Sequence, residues 1–250
     1  MKTITSRQNQ LIKEIAALAT AKERKKQQRF LAEGLRTVST IAQHNAPEIL
    51  FCTQETIHDA KRIADEERII VVPESVMQKI SPSTSAPGMI GVFAIPPAPS
   101  TPLSAGIVLA QVTNPGNMGT LIRTAAAMGI NTVVVVEGTD PWHPKVIQAS
   151  AGTIAAVHIY QLTWDQLLAK KGALSLCALV VSGGKDPSEL PLANTLLVVG
   201  NEAHGLPAAW QADCTQRCTL AMPGNTESLN AAVAGAITLY LLAQAQTSPI

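Results

Sequence analysis

"GIVLAQVTNPGNMGTLIRTAAAMG", residues 106–129, passes from an unbroken apolar run, through a turn marked by Asn114, Pro115, Gly116 and Gly119, into an Ala-rich stretch. Apolar residues without strict alternation predict a strand covered on both faces, as in a parallel sheet. The two glycines permit a tight turn and close backbone approach, and a helix starting there offers free N–H groups. The pattern then repeats. "TVVVV" (132–136), "AVHIY" (156–160), "LSLCALVV" (174–181) and "TLLVVG" (195–200) read as further strands, with helical segments between most of them. Two more glycine-marked loops follow, "GNEAHGLP" (200–207) and "LAMPGNTESLN" (220–230). Residues 104–250 are thus expected to form an α/β domain with a mostly parallel sheet. Loops at the carboxyl ends of such strands share one side of the sheet, so the three polar loops are expected to converge on one crevice.

Upstream, "PPAPSTPL" (96–103) holds four prolines in eight positions and fits neither a helix nor a central strand, so it is read as a linker. Residues 1–95 form a separate small α/β domain in this reading. Its strands are "EILFCT" (48–53), "RIIVV" (68–72) and "MIGVFAI" (89–95), with a helix over 55–66 and a short one after Pro73. Leu11, Ile15 and Leu18, and again Leu31, Leu35, Val38 and Ala42, fall at helical spacing and predict two amphipathic helices near the start.

The 250 residues suffice for two modest cores. Hydrophobic residues make up 46% of the chain but come in short runs, and the longest, Leu229 to Ala243, falls short of the ~20 residues a bilayer needs, so no membrane partner is expected. The first residues, "MKTITSRQNQLIKE", carry no apolar run after Lys2, so a cytoplasmic location is expected. Four scattered cysteines suggest reduced thiols, and Cys214 and Cys218 have no second Cys/His pair to complete a metal site, so no metal is expected. The net charge of +1 conceals an asymmetry: residues 1–36 hold nine Lys or Arg against three Asp or Glu. Such a segment is either a solvated helix face or the contact surface for a polyanion.

Each polar loop has an ordinary reading. Glu202 beside Asn201 reads as an acid at a helix N-terminus. Thr226 or Ser228 reads as the cap of the helix that follows. Neither G-x-G-x-x-G nor GxxxxGK[ST] occurs, which disfavours dinucleotide and P-loop nucleotide sites.

The combination is more specific than its parts. Asn117 with Arg123, then Gly200-Asn201-Glu202-x-x-Gly205, then Gly224-x-x-Glu227-Ser228-Leu229-Asn230, in this order, resembles the SpoU or TrmH-like family of RNA ribose methyltransferases in the SPOUT superfamily. "ASAGT" (149–153) is similar to a further family segment, and residues 28–95 look like the family's substrate-binding domain, related to a ribosomal protein fold. One departure is that the family's Ile-Pro-Met is Leu220-Ala221-Met222 here, with Pro223 one place later.

The resemblance implies a SPOUT fold whose C-terminal part is threaded into a trefoil knot, and S-adenosyl-L-methionine as cofactor, held by Gly200, Leu220, Met222 and Leu229. It implies methyl transfer to a ribose 2′-hydroxyl, of ribosomal RNA before transfer RNA. Arg123 would act at the hydroxyl or its neighbouring phosphate, with Asn117, Glu202, Ser228 and Asn230 positioning the groups. The basic segment then acquires RNA as its partner, through Arg24, Lys25, Lys26 and Arg29. The family forms homodimers with shared sites. The small residues Ala231, Ala232, Ala234, Gly235 and Ala236 suit either a close helix contact with a second copy or burial within one chain. A non-catalytic RNA-binding or ribosome-assembly factor on the same scaffold is the alternative.

Overall fold

The computed structural model describes residues 1–190, 193–224 and 228–247, with side chains described as far as residue 244. The chain divides into two compact units, Met1–Pro97 with Trp142–Ala155, and Ala98–Pro141 with Ala156–Ile250. Among the described residues no helix is long and apolar enough to cross a membrane.

The first unit runs β1 (Lys2–Thr3), α1 (Gln10–Ala17), α2 (Ala21–Gln27), β2 (Arg29–Glu33), α3 (Leu35–Ala42), β3 (Ile49–Cys52), α4 (Ile57–Ile63), β4 (Ile69–Val71), α5 (Glu74–Ile80) and β5 (Met89–Ala94). Its sheet has the order β1-β4-β3-β5-β2, with β5 antiparallel to both neighbours and the other pairs parallel. Ile12 and Ile15 of α1 and Leu18 at its C-terminal cap pack with Phe51, Met77 and Ile90 in its core.

The second amphipathic helix expected from Leu31 onward is corrected here. Leu31 belongs to β2 and pairs with Val92 of β5. Gln28 at φ 53° ends α2, and Gly34 at φ 83° turns the chain into α3, so the apparent helical spacing spans a strand and a separate helix. Gly34 suits that turn because the left-handed region costs it nothing.

The second unit continues with β6 (Gly106–Ala110), α6 (Pro115–Ala127) and β7 (Thr132–Val136). Between β7 and the next strand the chain gives residues 142–155, including α7 (Pro144–Ala149), to the first unit. The segment "ASAGT" (149–153) therefore lies wholly in the first unit, outside the unit in which its sequence position placed it. Then come β8 (His158–Leu162), α8 (Trp164–Lys170), β9 (Ser175–Leu179), β10 (Thr195–Val199), α9 (Ala208–Asp213), β11 (Gln216–Cys218) and α10 (Ala231–Thr247). The sheet order is β11-β9-β10-β6-β7-β8, parallel throughout. Every residue of β6, β7 and β10 is buried, which is why these strands lack alternation.

Proline at the first helical position and Asn114 as the cap start α6, with the Asn114 Oδ1 accepting from the backbone N–H of Gly116 and Asn117. α10 packs on α6 and β10, and a Cβ at Gly235 would come within 2.6 Å of Leu121. Ala232 is buried as well, so this part of the small-residue face is used inside the chain.

Candidate active site

Three chain segments meet at the carboxyl ends of β6 and β10. The backbone of Asn201 exchanges both hydrogen bonds with Gly205, at 3.0 and 2.9 Å, closing a small loop after β10. Its side chain fixes that loop from inside: Oδ1 accepts from the N–H of Ala203 and His204, and Nδ2 donates to the Gln111 carbonyl at 2.9 Å. Gly200 is required by packing, since a Cβ there would approach Gly205 within 2.6 Å.

The loop presents Glu202 to the start of α6. Its Oε1 accepts from the Asn114 N–H at 3.1 Å and from Asn117 Nδ2 at 3.0 Å. Its Oε2 accepts from the N–H and the hydroxyl of Thr113, both at 3.2 Å. Asn117 in turn accepts from Asn230 Nδ2 at 3.2 Å, and Asn230 Oδ1 accepts from the N–H of Ala232 and Val233 at the start of α10. One continuous network thus ties β6, α6, the β10 loop and α10 together. The expectation that Ser228 or Thr226 caps the last helix is corrected: Asn230 does so, and Thr226 lies outside the described residues.

Partial burial raises the proton affinity of Glu202, but the Asn117 amide and the backbone N–H groups of Glu202, Asn114 and Thr113 outweigh it and hold the carboxyl below the ordinary glutamate range. A carboxylate has about four acceptor positions. Four donors already face this one, which leaves it little capacity to accept a further proton.

Beside the network lies a cavity of about 510 Å³. Gly200, Leu220, Met222 and Leu229 all line it, joined by Ser228 and Glu202. Its volume falls within the roughly 300–1,000 Å³ typical of small-molecule sites. Its lining is mixed, with Leu179, Val180, Leu206 and Leu220 beside polar residues such as Asn201, His204 and Gln211.

Arg123 stands apart. It is exposed on α6 and makes no hydrogen bond or ion pair among the described residues. The basic segment also separates. Lys25 and Lys26 are exposed, whereas Arg24 is 1% exposed and its Nη1 donates to the carbonyls of Leu18 and Ala19, both at 2.9 Å. Arg24 as an RNA contact is therefore corrected to a buried structural residue. Arg29 forms an ion pair with Glu48 at 2.6 Å.

Sequence reasoning missed Thr113 and Asn114, which hold Glu202, and the segment 179–182, which lines the cavity after β9. Asn114 before Pro115 carried a readable capping signal. The segment after β9 carried none, because nothing local says that β9 lies beside β10.

The model of the SpoU rRNA methylase family matches residues 104–240, more than half of the chain. The chain belongs to the SpoU rRNA methylase family. A model of the MRM3-like substrate binding domain matches residues 9–91 of this SpoU chain. Several relatives match nearly end to end, two of them with named rRNA activities. The 23S rRNA (uridine(2479)-2'-O)-methyltransferase of Streptomyces viridochromogenes is 27% identical over 95% of this chain and 90% of its own length. The 23S rRNA (guanosine(2553)-2'-O)-methyltransferase RlmP of Bacillus subtilis is 29% identical over 97% and 99%. Among solved structures, the AdoMet-bound rRNA methyltransferase from Sinorhizobium meliloti is 27% identical, with a TM-score of 0.85 and 99% of both chains covered.

Proposed function

We propose that this SpoU-family chain is an enzyme that transfers the methyl group of S-adenosyl-L-methionine to a ribose 2′-hydroxyl of ribosomal RNA, in the cytoplasm. The observation that carries this reading is convergence: Gly200, Leu220, Met222 and Leu229, from two separate loops, line one cavity, and Glu202 on its wall anchors the Asn117–Asn230 network. The named activities of the two relatives support ribosomal RNA as the substrate class. When bound, the cofactor supplies an electrophilic methyl carbon.

The chain's own residues do the rest. Gly200, Leu220, Met222 and Leu229 hold the cofactor. The Glu202–Asn117–Asn230 network fixes the start of α6 relative to α10, and Ser228 on the cavity wall faces the ribose. Holding the hydroxyl in line with the methyl group supplies much of the rate by orientation alone. The planar guanidinium of Arg123, with its parallel donors, acts as a bidentate clamp on the phosphate or ribose beside the target.

RNA is gathered by Lys25 and Lys26, with Arg29 contributing less because Glu48 already pairs with it. The last part of the chain is threaded as a trefoil knot, and the first unit is the RNA-binding domain, as the match to a substrate-binding model supports. The active form is a homodimer. α10 is apolar all round, yet Val233, Ile237 and Tyr240 are 40–50% exposed along one side, continuous with Leu229. A helix apolar on every side is normally covered on every side. A second copy supplies that cover, and Ile237→Asp is expected to sediment as a monomer.

The decisive experiment maps 2′-O-methyl groups by mass spectrometry in ribosomal and transfer RNA from cells with and without the protein. One ribosomal position is expected to lose its methyl group. Loss from transfer RNA alone would redirect the substrate, and no loss anywhere would favour the non-catalytic factor. In vitro, Arg123→Ala is expected to abolish tritiated methyl incorporation while S-adenosyl-L-homocysteine still binds. Near-normal turnover would remove Arg123 from the site.

A further inference from the structure

Arg217 sits on β11, the edge strand of the second unit's sheet, in register with Ala178 of β9. Arg217 is exposed and is among the residues that line the same cavity, the only Lys or Arg among the described lining residues. The guanidinium makes no hydrogen bond or ion pair among the described residues. At the other side of the cavity Glu202 follows β10, with its acceptor positions occupied. β9 separates β10 from β11, so the two strands that carry these residues to the cavity lie two strand spacings, about 10 Å, apart.

S-adenosyl-L-methionine carries a single anionic group, the carboxylate of its amino-acid tail. A carboxylate taken out of bulk water is costly unless it is paired, and a guanidinium offers two parallel donors in the geometry that a carboxylate accepts. The apolar part of the lining, with Leu179, Val180, Leu206 and Leu220, suits the adenosine part, and no other Lys or Arg among the described lining residues supplies a positive charge. We propose that Arg217 binds the carboxylate of the cofactor and so sets the orientation of the tail within the cavity. The proposal rests on the reading of this cavity as the cofactor site. It adds a residue outside the sequence pattern by which the family was recognised.

The test is calorimetric titration of the full-length protein with two ligands: S-adenosyl-L-homocysteine, and its decarboxylated counterpart, which keeps the adenosine, sulfur and amine. Arg217→Ala is expected to weaken the first about tenfold, the scale of a hydrogen-bonded charge pair, and the second less than twofold. Arg217→Lys is expected to recover part of the loss. An equal loss for both ligands, or none for the first, overturns the proposal. Unchanged cofactor binding with weaker binding of ribosomal RNA fragments would instead assign Arg217 to phosphate, which also overturns it. Failure of the underlying reading looks different: Gly200→Ala, folded by circular dichroism, would then bind S-adenosyl-L-homocysteine as the wild type does.

Discussion

Glu202 and Arg24 each place a charge against the end of a helix, with opposite signs and opposite outcomes. Glu202 accepts backbone N–H groups at the start of α6, where the helix dipole is positive. Arg24 donates to the carbonyls of Leu18 and Ala19 just past the end of α1, where it is negative. Arg24 is buried and closes a corner of the first unit's fold. Glu202 stays partly open on a cavity wall, and its neighbour Asn117 passes the restraint on to Asn230 and α10. The same charge-to-backbone device thus closes a packed corner where solvent is excluded and links three segments of chain beside a cavity where a face is left open.

Glu202→Gln attacks the open case and is expected to have the largest effect. An amide in place of the carboxylate turns one acceptor into a donor facing N–H or O–H groups, so the network breaks at its hub. Methyl transfer is expected to fall at least a hundredfold. Stability is expected to fall by only about 1–2 kcal/mol, because the group is partly solvated. Since the folded chain holds Glu202 below the ordinary glutamate range, the carboxylate's contribution is complete above that range and is lost as pH falls through the depressed value. Urea unfolding should therefore separate wild type from Glu202→Gln at neutral pH and bring them together in acid. A constant gap down to acid pH would show that the charge contributes nothing.

Arg24→Ala attacks the closed case. Removing the guanidinium leaves the Leu18 carbonyl, which is buried, and the partly buried Ala19 carbonyl without that donor, and a void among packed groups, at an expected cost of about 2–3 kcal/mol. The variant should lower the unfolding midpoint while leaving the catalytic rate of the remaining folded protein near that of the wild type. A large loss of turnover at unchanged stability would place Arg24 in the site after all.

These contrasts mark what could be read from the residues and what could not. β6, β7 and β10 were legible because burial on both faces leaves a run of Val, Leu and Ile. β1 and β11, two and three residues long, were not, since their pairing depends on partners far along the chain. Leu31 misled because a strand and a helix on either side of Gly34 together mimic one helical stripe. The loops could be named from their pattern, but not the bonds across 85 and 113 residues that join Glu202 to Asn117 and Asn117 to Asn230. Charge counting failed at Arg24 because composition does not say which face of α2 turns inward.

Lys25 and Lys26 supply the control for that last point, with the smallest effect on folding. Both are exposed neighbours of Arg24 on the same short helix, and among the described residues Lys26 has only a long contact of 3.9 Å to Glu23. An exposed pair at that distance contributes little, so the double change to Ala should alter stability by no more than about 0.5 kcal/mol. Its effect belongs in binding. If both side chains neutralise phosphates, the slope of log affinity for ribosomal RNA fragments against log salt should fall by about 1.4–1.8, the increment for two contacts. Opposite outcomes for adjacent residues, stability lost at Arg24 and salt dependence lost at Lys25 and Lys26, would show that the helix divides its charges between core and ligand. An unchanged salt slope in the double variant would leave the first unit to bind RNA through some other face.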